Sequence, residues 1–193
     1  MSIKEKFTQI LSSVKRDGIE KVLEFLEKSS FFVDPASTEW HNSQEGGLAE
    51  HSLQVYNKLV ELAPKEISED NLKIVGLLHD ISLAGSFQKF TKNVPMKGSD
   101  GKNKHREDGR ILFIEKQTYD FVPETQLPYP HGLLSTQILK QHMKLTKLED
   151  LAIYWHHSLQ EAPNPIAQRA LKTHKLIFLT ASADLETKLY GGE

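Results

Sequence analysis

The sequence predicts a mainly α-helical protein. Apolar residues recur every three or four positions over most of the chain, and capping signals stand at the expected helix ends. Residues 84–130 are the exception, because glycines and prolines there interrupt any period of 3.6 residues. A chain of 193 residues can bury a sizeable core. We therefore expect one helical domain over residues 1–193 that carries an irregular insertion at 84–130.

The first 45 residues predict a helical extension. Apolar side chains in residues 3–28 follow a helical period that is interrupted near Gly18, which indicates two short helices. Residues 29–46 are polar and contain a turn signal at Pro35, so we expect a connection without regular structure.

Two further helices should follow this connection. Gly46 and Gly47 lead into the first of them, and Pro64 ends it. Ser68 suits the start of the second, because a short polar side chain can accept hydrogen bonds from exposed amides. The small and flexible residues of 82–86 predict where this second helix ends.

Within the insertion, Arg110–Val122 is rich in β-branched and aromatic residues and predicts a short hairpin or strand pair. The chain then returns to helical periodicity over 131–144, 147–158 and 166–189. Thr146 followed by Glu149 is a capping-box signal for the middle helix. Pro163 and Pro165 should separate the last two helices.

Ionisable residues interrupt the apolar faces of these predicted helices. They are His51, His79, His131, His156 and Asp184. A single histidine on an apolar face is usually a satisfied core residue, but five segments that each offer one such group favour a shared metal site. Asp80 follows His79 directly, and a buried carboxylate among neutral histidines stays ionised when a cation offsets its desolvation. Asp80 is therefore a candidate bridging ligand.

These residues lie in segments that resemble the motifs of the HD-domain metal-dependent phosphohydrolase superfamily, from about Gly46 to about Lys188. The segments are Gly46-Gly47-Leu48-Ala49-Glu50-His51-Ser52, Leu77-Leu78-His79-Asp80, Pro130-His131-Gly132, Trp155-His156-His157 and Ala183-Asp184. The pair His131 and His156 resembles the two-metal branch. The resemblance implies an HD-domain helical bundle with its core at 46–189.

The resemblance also implies a ligand set and a reaction. One divalent ion would be held by His51, His79, Asp80 and Asp184, and a second by Asp80, His131 and His156; Mn, Fe, Ni and Zn all remain candidates. Asp80 is then the expected catalytic residue, because two ions that share it would supply a hydroxide for attack on a phosphoester. The expected substrate is a small-molecule phosphoester such as a nucleotide or cyclic nucleotide, or a nucleic-acid end.

Basic side chains in the insertion are candidates for binding this substrate. Residues 89–116 contain eight basic and four acidic side chains, and a local positive excess can hold phosphate oxygens. We expect Lys92 and Lys89 to do so, although a solvated loop is an open alternative. His157 should point roughly 100° away from His156 on a helix and act as a supporting group or a substrate contact. Many two-metal members have a lysine three residues after the doublet aspartate, and here that residue is Leu83.

Composition narrows the classes of protein to which this chain can belong. The formal charge of −2 argues against a general nucleic-acid scaffold, and the lack of cysteine excludes disulfides and thiolate metal sites. No apolar run is long enough for a membrane span, so we expect a cytoplasmic protein without a membrane partner. Two alternatives to hydrolysis stay open. They are an HD-type di-iron oxygenase and a metal-containing nucleotide-binding module without turnover.

Overall fold

The computed structural model describes residues 1–160 and 164–191 and is mostly helical. Its α-helices are α1 (Ile3–Ser12), α2 (Ile19–Lys28), α3 (Gly47–Leu62), α4 (Glu69–Leu78), α5 (His131–His142), α6 (Lys147–Tyr154), α7 (Pro165–Thr173) and α8 (Lys175–Tyr190). Its strands are β1 (Phe87–Pro95) and β2 (Phe113–Phe121), and short 3₁₀ turns lie at Ile81–Leu83 and Pro123–Thr125. The predicted mainly α fold is confirmed.

The N-terminal helices share their core with the rest of the protein. Phe7 of α1 and Leu26 of α2 belong to the same buried cluster as Leu48 of α3. Arg16 lies in the connection between α1 and α2. Its guanidinium donates to both carboxylate oxygens of buried Glu149 in α6, at 3.0 Å each. The proposed division into an extension at 1–45 and a core at 46–189 stays a prediction.

Local chemistry explains where several helices begin. Ser68 accepts from the Asn71 backbone at the start of α4, as the sequence predicted. Thr146 and Glu149 form the predicted capping box of α6. Gly76 lets α4 approach α3 closely, because a Cβ at this position would lie 2.6 Å from Tyr56 Cα. This close approach sets the distance between the histidines that the two helices carry.

The insertion contains a long antiparallel hairpin. β1 pairs with β2 in a register that runs from Phe87 opposite Phe121 to Pro95 opposite Phe113. The strand predicted within 110–122 is therefore present, but its partner lies outside that range, in a segment predicted to be irregular. Most β1 side chains are exposed on both faces, so the segment lacks the alternation of apolar and polar residues that identifies a half-buried strand. Pairing with β2 makes it a strand.

Two helices predicted in the C-terminal part have different bounds in the structure. The helix predicted over 166–189 is two helices, because His174 adopts an extended backbone (φ −157°, ψ 141°) between α7 and α8. Its Nδ1 accepts from the Leu176 amide and so caps α8. The helix predicted over 147–158 ends at Tyr154. Pro163 lies outside the described residues, whereas Pro165 begins α7.

Among the described residues, none of the helices combines the length and the apolar character that a membrane span requires.

Candidate metal centre

Six ionisable side chains converge on one buried region between the helices. They are His51 in α3, His79 and Asp80 at the end of α4, His131 at the start of α5, His156 after α6, and Asp184 in α8. Five of them are buried. His131 is the most exposed, with 26% of its side chain accessible. The cluster is thus closed on most sides and open near His131.

The first group of donors is His51, His79, Asp80 and Asp184, whose ligand atoms all lie within 4.8 Å of one another. His51 Nε2 is 3.0 Å from Asp184 Oδ1 and 3.4 Å from His79 Nε2. His79 Nε2 is 3.3 Å from Asp80 Oδ2. Donors bound to one ion at about 2.1 Å are separated by about 3.0–3.4 Å in octahedral or tetrahedral geometry. These spacings fit a single divalent cation.

The second group lies on the other side of the Asp80 carboxylate and consists of Asp80, His131, His156 and His157. Asp80 Oδ1 is 3.1 Å from both His131 Nε2 and His156 Nε2. The two ring nitrogens are 2.9 Å apart. The two oxygens of Asp80 therefore face different sets of histidines.

The ends of α4 and α6 make this convergence possible. Adjacent residues on a helix diverge by roughly 100°, but Asp80 has left the helix (φ −107°, ψ 19°) while His79 is still helical. Trp155 ends α6 in a similar conformation (φ −101°, ψ 15°). His156 and His157 consequently lie in a turn, with ring centroids 4.4 Å apart. The expectation that His157 points away from His156 rested on a longer α6 and is wrong.

Hydrogen bonds to the backbone orient two of the rings. His79 Nδ1 donates to the Gly76 carbonyl at 3.0 Å, and His156 Nδ1 donates to the Ile153 carbonyl at 2.6 Å. In the neutral ring, each Nε2 then directs its lone pair into the cluster. Asp80 Oδ1 is buried without a hydrogen-bond partner among the described residues, despite its two ring-nitrogen neighbours. The Nε2 lone pairs and Asp80 Oδ1 are all hydrogen-bond acceptors. Acceptors that face one another in a buried site are consistent with a cation bound between them.

The surroundings of Asp80 and Asp184 favour the ionised form of both carboxylates. Burial alone would raise the pKa of Asp80, but the charge of His79 and the close approach of the His131 ring outweigh it and hold the pKa well below its usual value. Burial likewise opposes ionisation of Asp184, and a hydrogen bond from His51 with the charge of Lys188 holds its pKa well below the usual value. Burial lowers the pKa of His156 to about 4. The centre thus combines carboxylate anions with a neutral imidazole, as divalent-ion sites require.

Lys188 is a member of this centre that the sequence analysis missed. It lies one helical turn after Asp184 on α8, and its Nζ donates to Asp184 Oδ2 at 2.7 Å and contacts His157 Nε2. Gln160 Nε2 also donates to Asp184 Oδ2, at 2.7 Å. The i,i+4 spacing from Asp184 is the signal that could have identified Lys188. His41 also lies beside the centre, with its ring centroid 4.9 Å from that of His51.

Lys89 and Lys92 do not belong to either donor group among the described residues. Both lie on β1, where Lys89 Nζ pairs with Glu45 at 2.6 Å and Lys92 Nζ pairs with Glu39 at 2.5 Å. These ion pairs join the hairpin to the connection between α2 and α3. A role for the two lysines in substrate binding stays a prediction, and it would require them to exchange these carboxylates for phosphate oxygens.

The family model that the sequence matches covers most of the residues of this centre. A sequence model described as HD domain matches residues 48–177, about two thirds of the chain. The match includes five of the six converging residues and stops before Asp184. Searches of curated proteins and of solved structures gave no significant match. The chain belongs to the HD domain family of metal-dependent hydrolases.

Proposed function

We propose that the protein is a phosphohydrolase that uses two divalent cations to cleave a phosphoester. The observation that carries this proposal is the position of Asp80 between two sets of histidines. Its Oδ2 is 3.3 Å from His79 Nε2, and its Oδ1 is 3.1 Å from His131 Nε2 and His156 Nε2. One carboxylate that serves two donor sets would bridge two cations, the first with His51, His79 and Asp184, and the second with His131 and His156.

The chemistry of the donor atoms limits which metal ions can bind. Imidazole nitrogens and carboxylate oxygens suit Mn, Fe, Ni or Zn, and the chain offers no thiolate. When bound, paired divalent cations lower the pKa of a water molecule and offset negative charge on a phosphoryl group.

The protein's own residues provide support and access. Lys188 and Gln160 both donate to Asp184 Oδ2, which leaves Oδ1 directed at His51 and the first donor group. The partial exposure of His131 leaves one route by which a substrate can reach the centre. A small phosphoester such as a nucleotide fits this restricted access. A nucleic-acid end is a second substrate to be compared in the assay.

Metal content tests the first half of the proposal. Protein purified without a chelating tag should contain two equivalents of divalent metal by elemental analysis. Asp80→Asn keeps the side-chain volume but removes the charge that both sites share, so we expect less than one equivalent. His105→Ala is the matched control, because His105 is an exposed histidine of the hairpin, and it should retain two. Equal metal content in native protein and Asp80→Asn would contradict the proposal.

Turnover tests the second half. Phosphate release from a panel of nucleotides and cyclic nucleotides, with Mn, Ni, Fe or Zn supplied, should be clear for the native protein and at background for Asp80→Asn. The same rate without dioxygen would exclude the oxygenase alternative. A native protein that holds two equivalents of metal but releases no phosphate from the panel would refute hydrolysis and leave the binding-module alternative.

A further inference from the structure

A cavity of about 270 Å³ adjoins the open side of the metal centre. The end of β2, the following loop and the start of α5 form much of its wall, and the 3₁₀ turn after Asp80 closes it. His131 lines this cavity and is also a donor in the second metal group. The cavity therefore lies where a substrate bound at the centre would place the group next to its phosphate.

The wall of the cavity is apolar and partly aromatic. Its apolar members are Leu83, Phe121, Leu127, Tyr129, Pro130 and Leu134. Among the described residues that line it, none is a lysine, arginine, aspartate or glutamate. Such a wall does not favour a second phosphate or a charged sugar acid, because no cation would offset the charge. It favours a flat, uncharged ring that can pack against Phe121 and Tyr129.

Leu83 contributes to this apolar character. It is the third residue after Asp80, where the two-metal relatives that the sequence resembles often carry a lysine. Here the side chain lies partly buried against the core and faces the cavity. A lysine at this position would bring an ammonium group to the cavity wall. Its replacement by leucine removes a phosphate contact and at the same time makes room for an apolar group.

The polar groups and the size of the cavity agree with a single base. Hydroxyl groups of the lining already donate within the protein, since Ser82 Oγ donates to the His131 carbonyl at 2.9 Å and Thr125 Oγ1 to the Val122 carbonyl at 2.7 Å. The Gln126 amide offers a donor and an acceptor to a base edge. Pockets for drug-sized ligands measure about 300–1,000 Å³, so this one accommodates one ring system.

We infer that the substrate is a mononucleotide whose base occupies this cavity while its phosphate lies at the metal centre. The inference rests on the proposed function for the phosphate, but the base site is defined by its own residues. Leu83 and Phe121 are its specificity-determining residues. A sugar phosphate without a base would leave the cavity unused.

Adenosine and cytidine test the base site independently of hydrolysis, because neither has a phosphoester. We expect at least one of them to bind the metal-loaded native protein in calorimetry, and its base protons to receive magnetisation in saturation-transfer NMR. Phe121→Ala should weaken that binding about tenfold through lost stacking. Leu127→Lys, at a residue 52% exposed, should weaken it similarly without disturbing the core. Ile166→Lys, 65% exposed on α7, is the control and should bind as the native protein does.

A comparison of adenosine 5′-monophosphate with ribose 5-phosphate separates the two proposals. We expect the nucleotide to have at least a tenfold lower KM, and Leu83→Lys to reduce this ratio to near one while ribose 5-phosphate turnover persists. Hydrolysis of both compounds with equal KM, together with no nucleoside binding, would overturn the base site and leave the phosphohydrolase intact. Nucleoside binding without hydrolysis of any phosphoester would support the base site and overturn the phosphohydrolase.

Discussion

The Lys188 ammonium lies 2.7 Å from Asp184 Oδ2, one helical turn further along α8. Asp184 is completely buried, and only 13% of the Lys188 side chain is exposed. The resemblance places a lysine three residues after the doublet aspartate in many relatives, where this chain has Leu83. Lys188 brings an ammonium group to this centre from α8, where it holds a candidate ligand in position.

Replacement of Lys188 should destabilise the metal-free protein. Lys188→Met leaves the Asp184 carboxylate buried without its ammonium partner, and loss of one member of a buried pair costs about 3 kcal/mol. Urea unfolding in the presence of a chelator measures this free energy. Lys140→Met is the control, because exposed Lys140 pairs with partly exposed Asp150, and such a pair is worth less than about 1 kcal/mol. Equal, small effects of both substitutions would show that Lys188 does not support Asp184.

Addition of metal should restore part of the unfolding free energy that Lys188→Met loses. A cation at the first donor group offsets the charge of Asp184 in place of the ammonium. We therefore expect the difference in unfolding free energy between Lys188→Met and native protein to be smaller with saturating Mn than with chelator. A difference that is unchanged by metal would argue against Asp184 as a ligand.

His131→Ala should remove one metal equivalent and leave the other. His131 belongs to the second donor group, whereas His51, His79 and Asp184 belong to the first. Elemental analysis after dialysis should thus give one equivalent for this variant, where Asp80→Asn gives less than one. Retention of two equivalents would exclude His131 as a ligand.

Gly132→Ala should affect the second metal group by moving a helix. A Cβ at Gly132 would lie 2.6 Å from the carbonyl oxygens of both Ile153 and Tyr154. The start of α5 must then shift away from the end of α6, which separates His131 from His156. We expect one equivalent of metal to be lost and the unfolding free energy to fall by about 1–3 kcal/mol. Gln137→Ala, at an exposed position of the same helix, should change neither quantity.

Acid should destabilise the metal-free protein. Burial lowers the pKa of His156 to about 4 and that of His157 to about 2, whereas both side chains titrate near 6.5 when unfolded. The stability they contribute is fully present above about pH 6.5 and is lost as the pH falls toward the folded-state values. Each group adds a slope of up to about 1.4 kcal/mol per pH unit.

Protonation of His79 has the opposite effect on stability. Burial lowers the pKa of His79, but the Asp80 charge outweighs burial and raises it, so its protonation favours the folded state. Urea unfolding with chelator between about pH 7 and pH 5 should nevertheless show falling stability. Burial lowers the pKa of four histidines, namely His41, His51, His156 and His157, and these outnumber His79. His156→Gln should flatten the profile. A native profile that rises toward acid would refute the predicted balance.

Helix starts and ligand faces were predictable because their causes are local. Ser68 and Thr146 cap the helices that they precede through hydrogen bonds within three residues. The polar residues on apolar faces indicated side chains that point inward, and the structure brings His51 and His131 to the same aspartate. Their assignment as metal ligands stays a proposal.

Features that depend on distant partners were not predictable. The exposed segment 87–95 has no periodic signal of its own, and it forms β1 because residues 113–121 supply its hydrogen-bonding partners. The break at His174 and the early end of α6 at Tyr154 interrupt patterns that look continuous in the sequence. The end of α6 at Tyr154 brings the rings of His156 and His157 together, whereas His174 precedes α8 and caps it with its own side chain.

The sequence by itself determined which residue types face inward, because helical periodicity and the cost of burying an unpaired charge are readable along the chain. Only the tertiary structure decided that Asp80 divides its two oxygens between separate sets of histidines, and that Lys188 stands behind Asp184. The physical reason is that ligand geometry depends on distances between helices. Those distances are set by close contacts such as that of Gly132 with the end of α6, which link residues far apart in the chain.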